Sequence, residues 1–215
     1  MTLQLFSFFR STATWRVRIA LNLKAVPHDI LPVNVRTNDH NGAAYRDENP
    51  QGLVPAMRIG DQVVAQSLAL LEYLEATYPD PPLLPADPVD KAQVRSWAAL
   101  IACDIHPLNN RRVVQYLTGP LHLSEDQVQG WLQHWIHQGF AALETQLSRR
   151  PPARFLFGDR PTLADLCLVP QMENARRVGT AMDACPTLRR VDAELSGLDA
   201  FIAAHPHNQV DRVAD

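Results

Sequence analysis

Two kinds of hydrophobic pattern divide the chain. Over the first eighty residues, short apolar runs alternate with helix-type spacing. Residues 3–8 (LQLFSF) are rich in strand formers. Residues 14–25 place Trp15, Val17, Ile19, Ala20, Leu21 and Leu23 around a mostly apolar helix, which needs a sheet to pack on. Residues 28–35 (HDILPVNV) return as a strand, and 40–47 have room for one or two helical turns. Residues 54–59 (VPAMRI) and 62–65 read as a hairpin joined by Gly60-Asp61. Gln66-Ser67 then opens the periodic helix SLALLEYLEATY, which Pro79 ends. The predicted order is a βαβ unit followed by ββα.

Residues 79–88 (PDPPLLPADP) hold five prolines. Proline fixes φ and lacks an amide donor, so this stretch is a linker. Beyond it the strand signals stop, and 90–117, 125–148, 162–179 and 187–204 all carry helical spacing. The predicted fold class is therefore α/β plus all-α, with domains at 1–82 and 89–215. The polar stretch after Pro206 is expected to be loose.

Composition narrows the function classes. The chain has 215 residues, 46% of them apolar and 20% charged, and a net charge of −3. That balance gives no footprint for nucleic acid or for an anionic membrane surface. Cys103, Cys167 and Cys185 are far apart and never in a C-x-x-C spacing, which fits a reducing, cytoplasmic setting and packed core thiols. No secretory leader is read in MTLQLFSFFR, and no apolar run reaches the roughly 18 residues of a membrane span. The histidines show no metal-ligand spacing, so no metal is expected.

Five constellations carry candidate chemistry. The run Arg10-Ser11-Thr12-Ala13-Thr14-Trp15 lies between the first strand and the first helix. Helix N-termini favour anions, and a hydroxyl there can donate to a thiolate; equally, Ser11, Thr12 or Thr14 serves as a plain N-cap. Val54-Pro55 begins a strand expected to be central, where proline wastes a donor unless it sits in a special turn, a cis peptide being one form. Gln66-Ser67 at a helix N-terminus forms a carboxylate cradle or a cap. His106-Pro107-Leu108-Asn109-Asn110-Arg111-Arg112 interrupts the helix predicted over 90–117. There Pro107 is expected to kink the helix, with His106 and Asn110 four apart on one face. Thr162-Leu163-Ala164-Asp165 is a capping box with a folding role, and Arg176 and Arg177 further along that helix are either surface charges or reach a cleft, where an arginine suits a substrate carboxylate.

Together these residues resemble the zeta class of glutathione transferases, which includes maleylacetoacetate and maleylpyruvate isomerases. The resemblance runs over nearly the whole chain. It is carried by FFRSTATWRVRIALNLK, NPQGLVPAMRIGD, QSLALLEYLE, LLPADPVDKAQVR, CDIHPLNNRR and FGDRPTLADLCLVPQMENARR. It implies a thioredoxin-like N-terminal domain, an all-helical C-terminal domain and a homodimer, with glutathione as cofactor. Ser11 is implied to stabilise the glutathione thiolate, with Thr12 beside it. Val54 and a cis Pro55 are implied to pair with the cysteinyl backbone, Gln66 and Ser67 to hold the γ-glutamyl carboxylate, and His40, His106 and Asn110 to lie near the glycyl end. Arg10, Arg111, Arg112 and Arg177 become candidates for the carboxylates of a small dicarboxylate substrate.

One departure from the family pattern matters. Where the family often has Ser-Ser-Cys, this chain has Ser11-Thr12-Ala13. A protein thiol at that site is impossible, whereas a mechanism using the cofactor's thiolate is untouched. Loss of that cysteine beside an IHP-x-NNRR run inclines the resemblance toward the maleylpyruvate enzymes. The implied activity is reversible thiolate addition that allows a cis double bond to rotate. The rival activities on the same fold are conjugation, reduction or dehalogenation of small electrophiles, and a binding protein without catalysis.

Overall fold

The structure is a computed structural model, and it describes residues 2–213. By contact the chain divides into two compact units: Met1–Leu83 together with Gly197–Asp215, and Leu84–Ser196.

The first unit carries a four-stranded sheet in the order β2-β1-β3-β4. Its strands are β1 (Leu3–Ser7), β2 (His28–Pro32), β3 (Ala56–Ile59) and β4 (Gln62–Ala65). β1 pairs with β2 in parallel and with β3 in antiparallel fashion, and β3–β4 is the predicted hairpin. Helix α1 (Thr12–Leu23) connects β1 to β2, α2 (Ala43–Glu48) precedes β3, and α3 (Ser67–Thr77) follows β4. α1 packs against α3 and is buried nearly all round, two arginines included: Arg16 and Arg18 are each 1% exposed. Neither was expected in a core, and both find hydrogen-bond acceptors inside the unit.

Lys24 closes α1 onto the start of the linker. Its buried ammonium donates to Glu75 Oε2 at 2.8 Å, to the Tyr78 carbonyl at 2.6 Å and to the Pro81 carbonyl at 2.8 Å. All three of its donor valences are thus used.

The helical unit contains α4 (Pro88–Ala99), α5 (Arg111–Thr118), α6 (Glu125–Ser148), α7 (Leu163–Arg177) and α8 (Pro186–Ser196). Their starts follow capping chemistry. Asp87 accepts from the amides of Val89 and Asp90 with Pro88 in the first turn, and Ser124 with Gln127 forms a full capping box. The Thr162–Asp165 box is present and wholly buried. Asp165 accepts from the Thr162 amide and hydroxyl, each at 2.7 Å, and from the Leu156 amide at 3.0 Å.

The two ends of the predicted α-helical run differ from expectation. The helix expected over 187–204 is two helices, α8 and α9 (Asp199–Ala204), broken at Gly197. From Gly197 onward the chain packs with the first unit, whereas the sequence assigned it to the helical domain. Nor is the stretch after Pro206 loose: Asp211 is buried and accepts from Ser7 Oγ at 2.9 Å. Polar composition suggested solvent, but a polar partner 204 positions away supplies the burial. No helix among the described residues is long and apolar enough to cross a membrane.

Candidate active site

Sheet register gathers most of the predicted first-unit residues at one edge. Phe6 of β1 lies beside Ala56 of β3, and Ala56 beside Ala65 of β4. The segments that leave β1, enter β3 and leave β4 therefore emerge together. They carry Arg10-Ser11-Thr12, Val54-Pro55 and Gln66-Ser67 respectively. β2 runs parallel to β1 with Ser7 beside Pro32, so its exit toward His40 lies at the same edge.

Ser11 is the N-cap of α1. It has extended backbone (φ −68°, ψ 115°), and its Oγ accepts from the Thr14 amide at 3.2 Å. Capping uses an oxygen lone pair and leaves the hydroxyl proton for a ligand, so the cap and donor roles coexist. Thr12 is buried as the first helical residue, and Arg10 is half-buried just outside. No acidic residue occupies the first turn of α1, so nothing there offsets the positive end of the helix dipole.

The Val54–Pro55 peptide is cis. The turn before it is held by two residues that sequence reasoning missed. Leu53's carbonyl accepts from Tyr45 Oη at 2.6 Å and from Asn49 Nδ2 at 2.7 Å. Tyr45 belongs to an apolar cluster with Phe6, Val33 and Ala56, against which Val54 packs. Gly52 has φ +64°, and a Cβ there would lie 2.8 Å from the His40 carbonyl, so a glycine lets the His40 loop close on the turn.

Gln66 sits at φ +77°, ψ 117°, a strained conformation for a residue with a side chain. Its Nε2 donates to Gln51 Oε1 at 2.8 Å. Ser67 opens α3 and its Oγ accepts from Arg16 Nη1 at 3.1 Å. A buried guanidinium thus stands behind the Gln66-Ser67 helix terminus and adds to its preference for an anion. The role of Arg16 shows only through its partner 51 positions away.

In the helical unit, the helix expected over 90–117 is not continuous. After α4 the chain winds as a π-helix over Leu100–Ile105, then as a 3-10 turn over His106–Asn109, and α5 starts afresh at Arg111. Pro107 cannot donate the next helical bond, and Asn110 adopts extended backbone (φ −82°, ψ 163°) to cap α5, accepting from the Val113 amide at 3.2 Å. The expected sharing of one helical face by His106 and Asn110 is therefore corrected: they lie on either side of a helix boundary. Arg111 and Arg112 are exposed in the first turn of α5, which holds no acid. Two cations at the positive end of a helix are unfavourable without an anion.

Arg177, exposed at the end of α7, joins this segment through buried amides. Its Nη2 donates to Asn174 Oδ1, Asn174 Nδ2 donates to Asn109 Oδ1 at 2.6 Å, and Asn109 Nδ2 donates to the Ile105 carbonyl at 2.8 Å. Trp131 Nε1 fixes the same turn by donating to the Leu108 carbonyl at 2.8 Å. Asn109 and Asn174 are a further pair missed in sequence; the doubled asparagine at 109–110 was the available signal. Arg176, by contrast, is engaged by Asp192 at 2.6 Å and Glu173 at 2.9 Å.

Cys167 and Cys185 are buried as expected, whereas Cys103 is exposed on the π-helix, a correction that follows from the altered winding there. A separate cavity of about 640 Å³ in the helical unit is lined by Gln133, His134, His137 and Thr180 among others, none of them a predicted site residue.

Family comparison bears on this arrangement. The family model for the glutathione S-transferase N-terminal domain matches residues 10–77, and that for the C-terminal domain matches 125–206. A maleylpyruvate isomerase of Ralstonia sp. is 46% identical over 97% of this chain and 99% of its own. The holo structure of a maleylpyruvate isomerase, described as a bacterial zeta-class glutathione S-transferase, superposes with TM-score 0.95 at 46% identity, covering 98% of this chain and all of that one. A maleylacetoacetate isomerase from Anaeromyxobacter dehalogenans 2CP-1, solved with dicarboxyethyl glutathione and citrate in its active site, superposes with TM-score 0.86 at 38% identity, covering 98% and 97%. The chain belongs to the glutathione S-transferase family and, within it, to the zeta class.

Proposed function

We propose that this chain is a glutathione-dependent cis–trans isomerase of a maleyl-type dicarboxylate, with maleylpyruvate favoured over maleylacetoacetate. The observation that carries the proposal is that each unit carries its own set of groups suited to one part of this chemistry. One set, at the sheet edge of the first unit, suits a thiol-bearing peptide. The other, around the start of α5 and the end of α7, suits carboxylates.

The first set fits glutathione by its donors. Ser11 offers a hydroxyl proton at the unopposed N-terminus of α1. Gln66 and Ser67 offer a second helix N-terminus, backed by Arg16, for the γ-glutamyl carboxylate. Val54 is assigned to the cysteinyl backbone, and His40, His106 and Asn110 to the glycyl end; Thr12 supports Ser11. Bound glutathione supplies a thiolate that adds reversibly to the substrate's cis double bond, so that the bond can rotate before elimination restores the tripeptide. Ser11 keeps that thiol ionised, and Arg10 neutralises charge that develops on the substrate.

The second set holds the acid. Arg111 and Arg112 concentrate positive charge where the α5 dipole already favours an anion, and Arg177 presents a planar fork suited to a carboxylate. Ala13 leaves no protein thiol to compete. A neutral electrophile would bring no charge to Arg111 and Arg112 at the acid-free start of α5, which weighs against simple conjugation. A homodimer in the cytosol accompanies this proposal, and sedimentation would test the dimer.

The test follows the absorbance of maleylpyruvate with purified protein. Rapid conversion to fumarylpyruvate only with glutathione, and no net loss of glutathione, is the expected result. No conversion, alongside conjugation of a nitro-aromatic electrophile, would replace the isomerase by a conjugating transferase.

A further inference from the structure

The loop that carries Arg10 and Ser11 is gripped from behind by residues from the far end of the chain. Ser7, the last residue of β1, is wholly buried; its Oγ donates to Asp211 Oδ2 at 2.9 Å and accepts from Arg18 Nη1 at 3.3 Å. Arg18 then divides its remaining donors. Nη2 donates to the Phe9 carbonyl at 2.8 Å, and Nε donates to the Ala204 carbonyl, at the end of α9, at 3.2 Å. The Phe9 carbonyl belongs to the peptide that enters Arg10. On the other side of it, the Ser11 amide donates to the Phe8 carbonyl at 2.9 Å. Residues 8–11 are thus a turn hung on one guanidinium.

That guanidinium is 1% exposed. Burial pulls its pKa down to about 10, and the Asp211 carboxylate opposes the fall. A buried charge is retained only when it is paired and hydrogen-bonded, and loss of one partner drives water entry or movement of the other. Arg18 is held by the Ser7 hydroxyl and by the Ala204 and Phe9 carbonyls, so any shift of the guanidinium is passed to Phe9.

We propose that Asp211 is a positioning residue of the thiolate site: with Ala204 it latches Arg18, and Arg18 sets the Phe9 carbonyl and hence the aim of Arg10 and the Ser11 hydroxyl. This rests on the assignment of glutathione to the Ser11 edge. The latch differs from ordinary packing because its last link is one residue from Arg10 and two from Ser11, while its first link is 204 positions from Ser7.

The experiment titrates the ultraviolet absorbance of the bound glutathione thiolate in wild-type protein and Asp211→Asn. Leaving Arg18 uncompensated would by its field alone lower the thiol's pKa, so the direction is diagnostic. Lost aim predicts a rise of about one pH unit, a tenfold loss of thiolate at a given pH below it. Affinity for S-methylglutathione, which has no thiol to ionise, is expected to stay at the wild-type value. The double variant Arg18→Met/Asp211→Leu removes both charges together and is expected to keep the rise. Val210→Asn, at an 85% exposed neighbour, is the unaffected control. If Asp211→Asn fails to fold, Ser7→Ala removes only the bridging hydroxyl and is expected to shift the midpoint the same way. An unchanged or lowered midpoint, or parallel loss of S-methylglutathione binding, overturns the latch. Absence of any thiolate band in the wild-type protein would instead remove the glutathione assignment itself.

Discussion

Gly139 of α6 and Ile105 of the π-helix touch where no other residue than glycine leaves room: a Cβ on Gly139 would lie 2.3 Å from Ile105 Cγ1 and 2.5 Å from Cδ1. Glycine costs a helix about 1 kcal/mol relative to alanine. Here its absence of a side chain lets the π-helix seat immediately before His106. Gly139→Ala is therefore expected to destabilise by about 1–3 kcal/mol through overpacking, despite its better helix propensity. Because the displaced residue adjoins His106 and feeds the carbonyl that holds Asn109, KM for the dicarboxylate is expected to rise. Urea unfolding and steady-state kinetics check both; a more stable variant with normal KM would show that Ile105 has room to move.

Asn174 links Arg177 to Asn109. Removing it by Asn174→Ala leaves buried polar groups without their partner, at a cost of about 1–3 kcal/mol. The guanidinium also loses its tether. KM for a dicarboxylate is expected to rise several-fold while KM for glutathione holds. Equal losses for a neutral electrophile would mean that Arg177 does not hold a carboxylate.

Ser11→Ala separates the observed capping role of that hydroxyl from its proposed role as donor to the thiolate. The lost N-cap is expected to cost about 1 kcal/mol, too little to unfold the protein. The lost donor to the thiolate is expected to lower kcat about a hundredfold, as for other preorganised donors to a developing anion. Circular dichroism and isomerase turnover on the same sample distinguish them. Full activity in a folded variant would pass the thiolate role to another group.

Asp165 makes stability depend on pH in an unusual direction. Burial pushes its carboxyl up to about 6, while the Leu156 amide and the Thr162 hydroxyl and amide partly oppose this. The folded state then holds a proton that the unfolded chain has already released. The contribution of this group is fully present below about pH 4 and is lost as pH rises to about 6. The stability advantage of wild type over Asp165→Asn is expected to shrink by up to about 3 kcal/mol across that window, at 1.36 kcal/mol per pH unit. Urea unfolding at both ends of the window measures it. An advantage that grows with pH would mean that the hydrogen bonds to this carboxylate outweigh burial.

Legibility in sequence followed the range of the interactions. The β-hairpin, the linker, α3, α6 and the Thr162–Asp165 box were all readable, since each is set by turn chemistry, proline or a cap a few residues away. The break after α4 was half visible. Pro107 announced a disturbance, but a π-helix before it depends on Gly139 making room from another helix. The candidate site residues of the first unit lie at strand exits and helix starts, where motif and resemblance both point. Their supports do not: Tyr45, Asn49, Arg16 and Asn174 act through partners that only folding brings close. The stretch past Pro206 was misjudged for the same reason, because Asp211 finds its partner in β1 while Asn208 and Gln209 donate back to the Ile202 and Ala203 carbonyls.

The division of the chain also sets an order of events during synthesis. Most proteins can complete their first domain while the next is still being made. Here β1 and α1 are made before the helical unit, yet Arg18 has neither the Asp211 carboxylate nor the Ala204 carbonyl until the residues after that unit have been made. The helical unit spans Leu84–Ser196 and is therefore made in full before α9. An earlier part of the nascent chain thus waits on a later one, and the turn that carries Arg10 and Ser11 settles only after the helical unit has been made.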